Sequence, residues 1–85
     1  MSAFSYSIRE KRVMAETQNL RVVRMCFAEG EYIPWHYHTH VTDIMFCLSG
    51  EVIVDLGKPD ERVTLLPGEH IEIPQGRAHR VGGPG

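Results

Sequence analysis

The sequence predicts an all-β fold in which short strands form one small domain. Apolar and polar residues alternate over short stretches, and glycine and proline, 8 and 5 of the 85 residues, separate many of these stretches. No window shows the three- and four-residue apolar spacing of an amphipathic helix. Short strands divided by Gly/Pro turns are typical of a β-sandwich or β-barrel.

Charge and composition exclude several classes of partner. The chain carries 9 Lys and Arg against 11 Asp and Glu, and the two signs are mixed along it, whereas a nucleic-acid surface requires a basic stripe. No apolar run is long enough to span a bilayer, and residues 1–7 lack a signal-peptide pattern. Cys26 and Cys47 lie in apolar runs and are expected to be reduced core thiols. We therefore predict a cytoplasmic protein that binds neither nucleic acid nor membrane.

The first half of the chain predicts an N-terminal arm followed by three strands. Residues 1–19 are mixed in composition and are expected to form a loose arm, with a short strand near Ile8 or Val13 as an open alternative. The folded domain is predicted to occupy residues 20–85. Pro34 excludes a helix from the segment around it. The predicted strands of this half are Leu20–Phe27, Tyr32–His40 and Asp43–Ser49.

The second half of the chain predicts four further strands with tight turns between them. Each boundary carries glycine or proline, the residues that most often interrupt regular structure. The turns are expected at Ser49–Gly50, Gly57–Asp60, Pro67–Gly68 and Pro74–Gly76. The strands between them are Glu51–Leu56, Arg62–Leu66, His70–Ile73 and Ala78–Val81.

A histidine-rich stretch carries the strongest functional signal. His36, His38 and His40 occupy alternate positions, so they share one face if the segment is a strand. Asp43 breaks this parity, which predicts a turn or bulge between His40 and Asp43. Imidazoles and a carboxylate that converge on one point suit a divalent transition metal. Taken alone, the same histidines on an exposed strand require no metal.

A second region, which places His79 after a Pro-x-Gly turn, strengthens the metal hypothesis. Together the two regions resemble the cupin family. The first cupin motif is matched by Gly30, His36, His38 and Gly50, with Asp43 in the position of the family's glutamate. The second motif is matched by Gly68, Pro74, Gly76 and His79, with Gly83 in the position of the family's asparagine.

The resemblance implies a small antiparallel jelly-roll barrel with a metal site inside it. His36, His38 and His79 would be the histidine ligands and Asp43 the carboxylate ligand. His40 is not a family ligand position; it is expected either to replace Asp43 or to be a polar rim residue. Three imidazoles and one carboxylate leave open positions on an octahedral ion, and Fe, Mn, Ni and Zn all fit this ligand set.

The resemblance specifies the fold more narrowly than the activity, because cupins include dioxygenases, isomerases, lyases, storage proteins and sensors. The favoured hypothesis is metal-dependent dioxygenase or isomerase/lyase chemistry on a small oxygen-rich organic molecule. The alternative is a non-catalytic metal- or ligand-binding module, such as a sensor or a structural barrel. Glu31 and Tyr32 are the candidates for an additional acid or base, and whether the chain is an enzyme stays open.

Two features predict a homodimer. Strand parity sends Ile44, Phe46 and Leu48 outward, and three large apolar side chains on one face need a cover. Cupin barrels commonly pack back to back, which would supply that cover. Cupins also have further strands after the second motif, so the barrel is expected to be incomplete at its C-terminal end. Either the sequence is then a truncated domain, or closure comes from elsewhere, such as the N-terminal arm or a partner chain.

Overall fold

The computed structural model describes residues 10–84, and every regular element in that range is a β-strand. This confirms the all-β prediction. In the described part of the chain there is no helix with the length and apolar character to cross a membrane. The eight strands are β1 (Glu10–Glu16), β2 (Arg21–Cys26), β3 (Tyr32–His36), β4 (Asp43–Phe46), β5 (Val52–Leu56), β6 (Glu61–Leu65), β7 (His70–Ile73) and β8 (His79–Gly82).

The strands form three antiparallel sheets. β1 pairs with β2, β4 pairs with β7, and the remaining four strands form a sheet in the order β3-β8-β5-β6. The last strand, β8, therefore has β3 on one side and β5 on the other, so the edges of this sheet are β3 and β6. The register between β3 and β8 places His36 opposite His79.

The segment expected to be a loose arm contributes a regular strand. Within the described residues, Glu10–Glu16 forms β1 and runs antiparallel to β2, with a register shift between Val13 and Ala15. The alternative of a strand near Val13 is confirmed, and this strand is longer than expected. Ile8, the other position considered for a strand, lies outside the described residues.

The predicted strand Tyr32–His40 is shorter than expected. β3 ends at His36, and the chain bends at Thr39 and His40 before β4 begins at Asp43. The backbone carbonyl of His38 accepts a hydrogen bond from the amide of Gly76 at 2.7 Å, which ties this loop to the Pro74–Gly76 turn. The three histidines therefore do not lie on one strand face. The turn or bulge expected between His40 and Asp43 begins before it, at Thr39.

The hydrophobic core lies between the sheets and follows the alternation of the strands. Its buried members are Cys47, Val54, Leu56, Leu65, Ile73 and Val81. Met45 and Cys47 point inward as the parity predicts, and both cysteines are free thiols, with Cys47 buried and Cys26 partly buried. Ile44, Phe46 and Leu48 are 56%, 62% and 73% exposed, which confirms their predicted outward direction.

The outer face of the four-stranded sheet carries an ion-pair network. Asp55 on β5 accepts hydrogen bonds from Arg62 Nε at 2.7 Å and from Arg80 Nη2 at 2.7 Å. The guanidinium of Arg80 also lies over the rings of Tyr32 and Trp35, 5.6 and 5.4 Å from their centroids. These contacts join all four strands on the face opposite to the core.

Candidate metal centre

Four side chains converge from three strands and one loop. His36 is the last residue of β3, His79 the first of β8 and Asp43 the first of β4, while His38 lies in the loop after β3. One ligand atom from each of these residues lies within 4.8 Å of the others. The structure thus brings together the four positions that the cupin resemblance implies as ligands.

The carboxylate of Asp43 lies between two of the imidazoles. Its Oδ2 atom is 3.1 Å from His79 Nε2 and 3.3 Å from His38 Nε2. The rings themselves are close, with centroid distances of 4.2 Å for His36–His79 and 5.1 Å for His36–His38. Although aspartate is shorter than the glutamate of the family motif, its oxygen reaches the cluster.

Backbone carbonyls set the orientation of two of the rings. The Nδ1 atom of His36 lies 2.8 Å from the Pro34 carbonyl, and that of His79 lies 2.9 Å from the Arg77 carbonyl. Because a carbonyl only accepts, each Nδ1 carries the hydrogen, and the neutral ring then has its free lone pair on Nε2. Such a contact is the usual way in which proteins orient a histidine that binds a metal.

His79 shows an unsatisfied group that fits a cation. The residue is 1% exposed, and its buried Nε2 atom has no hydrogen-bond partner in the described structure. Burial is the main cause that lowers the pKa of His79, and the His36 ring adds to this effect, so the neutral form is favoured. In that form the Nε2 lone pair faces the Asp43 carboxylate across 3.1 Å. Two acceptors at this distance need a cation between them, either a proton on Nε2 or a metal ion, and the two further ligand atoms of the cluster suit the metal ion.

The cluster is buried at one end and open at the other. The side chain of His79 is 1% exposed and that of Asp43 24%, whereas that of His38 is 41% exposed. A small ligand would therefore approach from the side of His38. His40 is exposed and is not one of the four clustered residues, a placement that corresponds to the rim alternative.

The other residues considered for the site lie elsewhere. Glu31 and Tyr32 line a cavity of about 210 Å³ on the outer face of the four-stranded sheet. None of the four clustered residues lines this cavity, so the candidate acid and base do not face the cluster from there. Its remaining lining residues are Gly30, Ile53, Asp55, Arg62, Arg80, Gly82 and Gly83.

Sequence reasoning missed the groups that hold the ligands in place. The carbonyls of Pro34 and Arg77 orient two imidazoles, yet every residue has a carbonyl, so the sequence contains no signal for them. Asp55 was also missed. Its signal is a carboxylate within the apolar strand Glu51–Leu56, where only a well-paired charge is stable.

Comparison with known proteins identifies the family of the chain. The Cupin_2 family model, described as a cupin domain, matches residues 23–85. The chain belongs to the cupin family. A solved structure of a cupin-2 domain protein from Shewanella frigidimarina NCIMB 400 superposes with a TM-score of 0.75 and 24% identity. The match covers 93% of this cupin and 74% of that chain, and it supports the fold.

One curated relative matches in sequence. A mannose-1-phosphate guanylyltransferase from Sinorhizobium fredii (strain NBRC 101917 / NGR234) is 32% identical over 73 residues. The match covers 85% of this cupin but only 14% of the relative. The similarity is therefore limited to a small part of that protein.

Proposed function

We propose that this cupin binds one divalent transition-metal ion through His36, His38, Asp43 and His79. The observation that carries the proposal is the buried Nε2 atom of His79, which has no hydrogen-bond partner and faces a carboxylate oxygen inside a group of four ligand atoms. Fe, Mn, Ni and Zn all accept this donor set. The contacts of Nδ1 with the Pro34 and Arg77 carbonyls direct Nε2 of His36 and His79 toward the cluster, where its lone pair can bind an ion.

We propose further that the site acts on a small oxygen-rich organic molecule. A bound divalent ion would supply Lewis-acid or redox chemistry to a carbonyl, enol or carboxylate group. The chain would orient the ligands. It would exclude water on the buried side of the site at His79 and leave the site open to solvent at His38. Dioxygenase and isomerase/lyase chemistry are both compatible with this arrangement.

The second candidate is a metal- or ligand-binding module without catalysis. The observation that favours it is the position of Glu31 and Tyr32, which line the outer-face cavity instead of facing the cluster. Dioxygen consumption with diketones and catechols, and isomerisation of uronates, would separate the two enzyme classes. A sugar phosphate belongs in the panel because the name of the Sinorhizobium relative refers to mannose-1-phosphate. Ligand binding without turnover across the panel would favour the module.

Thermal melting tests the metal proposal. The wild-type protein should melt at a lower temperature after a chelator removes the ion, because a ligand that binds only the folded state stabilises it. The double variant His36→Ala, His38→Ala should lose this response. Identical melting of the wild type with chelator and with added metal would contradict the proposal.

We also propose that the protein is a homodimer. The face formed by Ile44, Phe46 and Leu48 supports this proposal, because its three large apolar side chains are each more than half exposed. Such a face is commonly covered by another protein surface. Phe46 stacks on His70 of the neighbouring strand β7, with 5.1 Å between the ring centroids, so the candidate surface extends from β4 onto β7.

A further inference from the structure

The turn Pro74–Arg77 makes direct contact with two of the four clustered residues. The amide of Gly76 donates to the carbonyl of His38 at 2.7 Å. The carbonyl of Arg77 accepts from Nδ1 of His79 at 2.9 Å. One short turn therefore fixes the loop that carries His38 and the ring direction of His79.

The side chain of Arg77 attaches this turn to the loop between β5 and β6. Its Nε donates to the carbonyl of Gly57 at 3.2 Å, and its Nη2 donates to the carbonyl of Pro59 at 3.0 Å. Nη2 also lies 3.3 Å from Oε1 of Glu61, which is the first residue of β6. A planar guanidinium can serve these acceptors at the same time, whereas an ammonium group cannot match that fork.

A backbone contact parallels the side-chain contacts of Arg77. The amide of Gly57 donates to the carbonyl of Ala78 at 2.9 Å. The β5–β6 loop is thus bound to both residues that precede His79, and the Arg77 side chain is three-quarters buried, with 25% exposed. Motion of this loop would be transmitted to the carbonyl that orients His79.

From these contacts we infer that Arg77 is a positioning residue of the metal centre. Its guanidinium holds the Pro74–Arg77 turn against the β5–β6 loop. This turn then keeps His38 and His79 in the geometry needed to bind the ion. This inference rests on the proposed function, since it concerns the same metal site. Arg77 does not itself provide a ligand atom, so its removal leaves the donor set complete but less well oriented.

Arg62 offers a matched control for a purely structural role. Its Nε donates a hydrogen bond to Oδ1 of Asp55 at 2.7 Å, and this contact connects β6 to β5. Arg62 lies on the outer face of the sheet, where its ion-pair partner is Asp55 of β5 and not a residue of the turn or the cluster. Loss of Arg62 should therefore weaken the fold without disturbing the orientation of the ligands.

The experiment is a titration of the metal-free full chain with Ni²⁺ and Zn²⁺ by calorimetry. Three variants are compared with the wild type: Arg77→Met, Arg77→Lys and Arg62→Met. Arg77→Met should weaken metal binding by about 10- to 100-fold, the usual effect of removing a group that orients a ligand. Arg77→Lys should recover part of the affinity, because an amine still reaches one carbonyl. Arg62→Met should bind metal as the wild type does.

Melting of the metal-free forms separates positioning from stability. Both Met variants should melt below the wild type, while only Arg77→Met should lose metal affinity. The inference would be overturned if Arg77→Met bound metal as tightly as the wild type. It would also be overturned if Arg77→Met and Arg62→Met lost the same metal affinity. Either result would leave the metal proposal intact. Absence of binding to the wild type would instead refute the metal proposal, and the inference with it. If Arg77→Met does not fold, Arg77→Lys alone decides: wild-type affinity in that variant refutes the inference.

Discussion

At the scale of single residues, the cluster depends on the direction of each histidine ring. His36 and His79 each have Nδ1 against a carbonyl two residues earlier, at Pro34 and Arg77. The same local contact thus occurs at the end of β3 and at the start of β8, and in both it leaves Nε2 free for a ligand. The repeated contact explains how two neighbouring strands present equivalent donors side by side.

His38 and His40, the two remaining histidines of the first motif region, should differ in their contribution to metal binding. His38→Ala removes one of the four clustered ligand atoms and should lower metal content and metal affinity. His40→Ala should leave both unchanged, because His40 is exposed and lies outside the group. Elemental analysis of the two purified variants checks this. Loss of metal in His40→Ala with retention in His38→Ala would assign the ligand to His40 instead.

Gly82 should tolerate no side chain. A Cβ atom there would lie 2.6 Å from the Glu31 carbonyl oxygen and 2.6 Å from Tyr32 Cβ. The backbone must shift to admit it, and we expect Gly82→Ala to lower the free energy of unfolding by about 1–3 kcal/mol, the usual cost of overpacking. Gly57→Ala is the control, since its Cβ would meet neighbours at an ordinary 3.7 Å. Urea unfolding of both variants checks the prediction, and equal midpoints would contradict it.

At the scale of elements, the network around Asp55 connects β5, β6 and β8. The hydrogen bond from Arg62 is the main cause that lowers the pKa of Asp55 from 3.8 to about 2, and Arg80 adds to it. Burial acts in the opposite direction but is outweighed. Because the folded-state pKa lies below that of the unfolded chain, the ionised carboxylate stabilises the fold above about pH 4.

The stability contributed by Asp55 should disappear in acid. As pH falls from about 4 to about 2, the folded carboxylate becomes protonated and its pairing with Arg62 and Arg80 is lost. Asp55→Asn should be less stable than the wild type at neutral pH, and the difference should shrink across this range. Unfolding midpoints measured at several pH values check this, with the exposed Asp60→Asn as control. A difference that does not change with pH would contradict the assignment.

The elements also show which parts of the site the sequence could predict. Strand alternation is a local property, so the outward Ile44 and Phe46 and the inward Met45 were predicted and confirmed. The cupin resemblance likewise implied the four residues that the structure brings together. The end of β3 at His36 was not predicted, because a hydrogen bond from the distant Gly76 to the carbonyl of His38 shapes the loop that follows. Contacts of this kind depend on the folded chain and have no local sequence pattern.

At the scale of the whole molecule, the central strand β8 connects the two polar clusters of this cupin. β8 lies in the middle of its sheet and carries His79 inward and Arg80 outward. The same strand therefore contributes to the metal centre on one face and to the ion-pair network on the other. The resemblance predicted the first role, whereas the second depends on side-chain pairing between β5, β6 and β8, which their order along the chain does not reveal.

The homodimer proposal is tested through the apolar face of β4. Phe46→Glu places a charge on the face formed by Ile44, Phe46 and Leu48 and should convert a dimer into a monomer. Val22→Glu introduces the same charge at an exposed apolar position of β2 and should leave the dimer intact. Light scattering after size-exclusion chromatography gives the molar mass of each variant. A monomeric wild type would contradict the proposal.

The cytoplasmic location expected from the sequence also stays a prediction.

The measurement that tests the central claim most directly is elemental analysis of the purified wild-type chain beside the double variant His36→Ala, His38→Ala. If the four clustered residues form a metal centre, the wild type should contain one divalent transition-metal ion per chain after exposure to Fe, Mn, Ni or Zn salts and removal of excess. The double variant should contain only traces. Trace metal in the wild type, or equal metal content in both proteins, would contradict the claim.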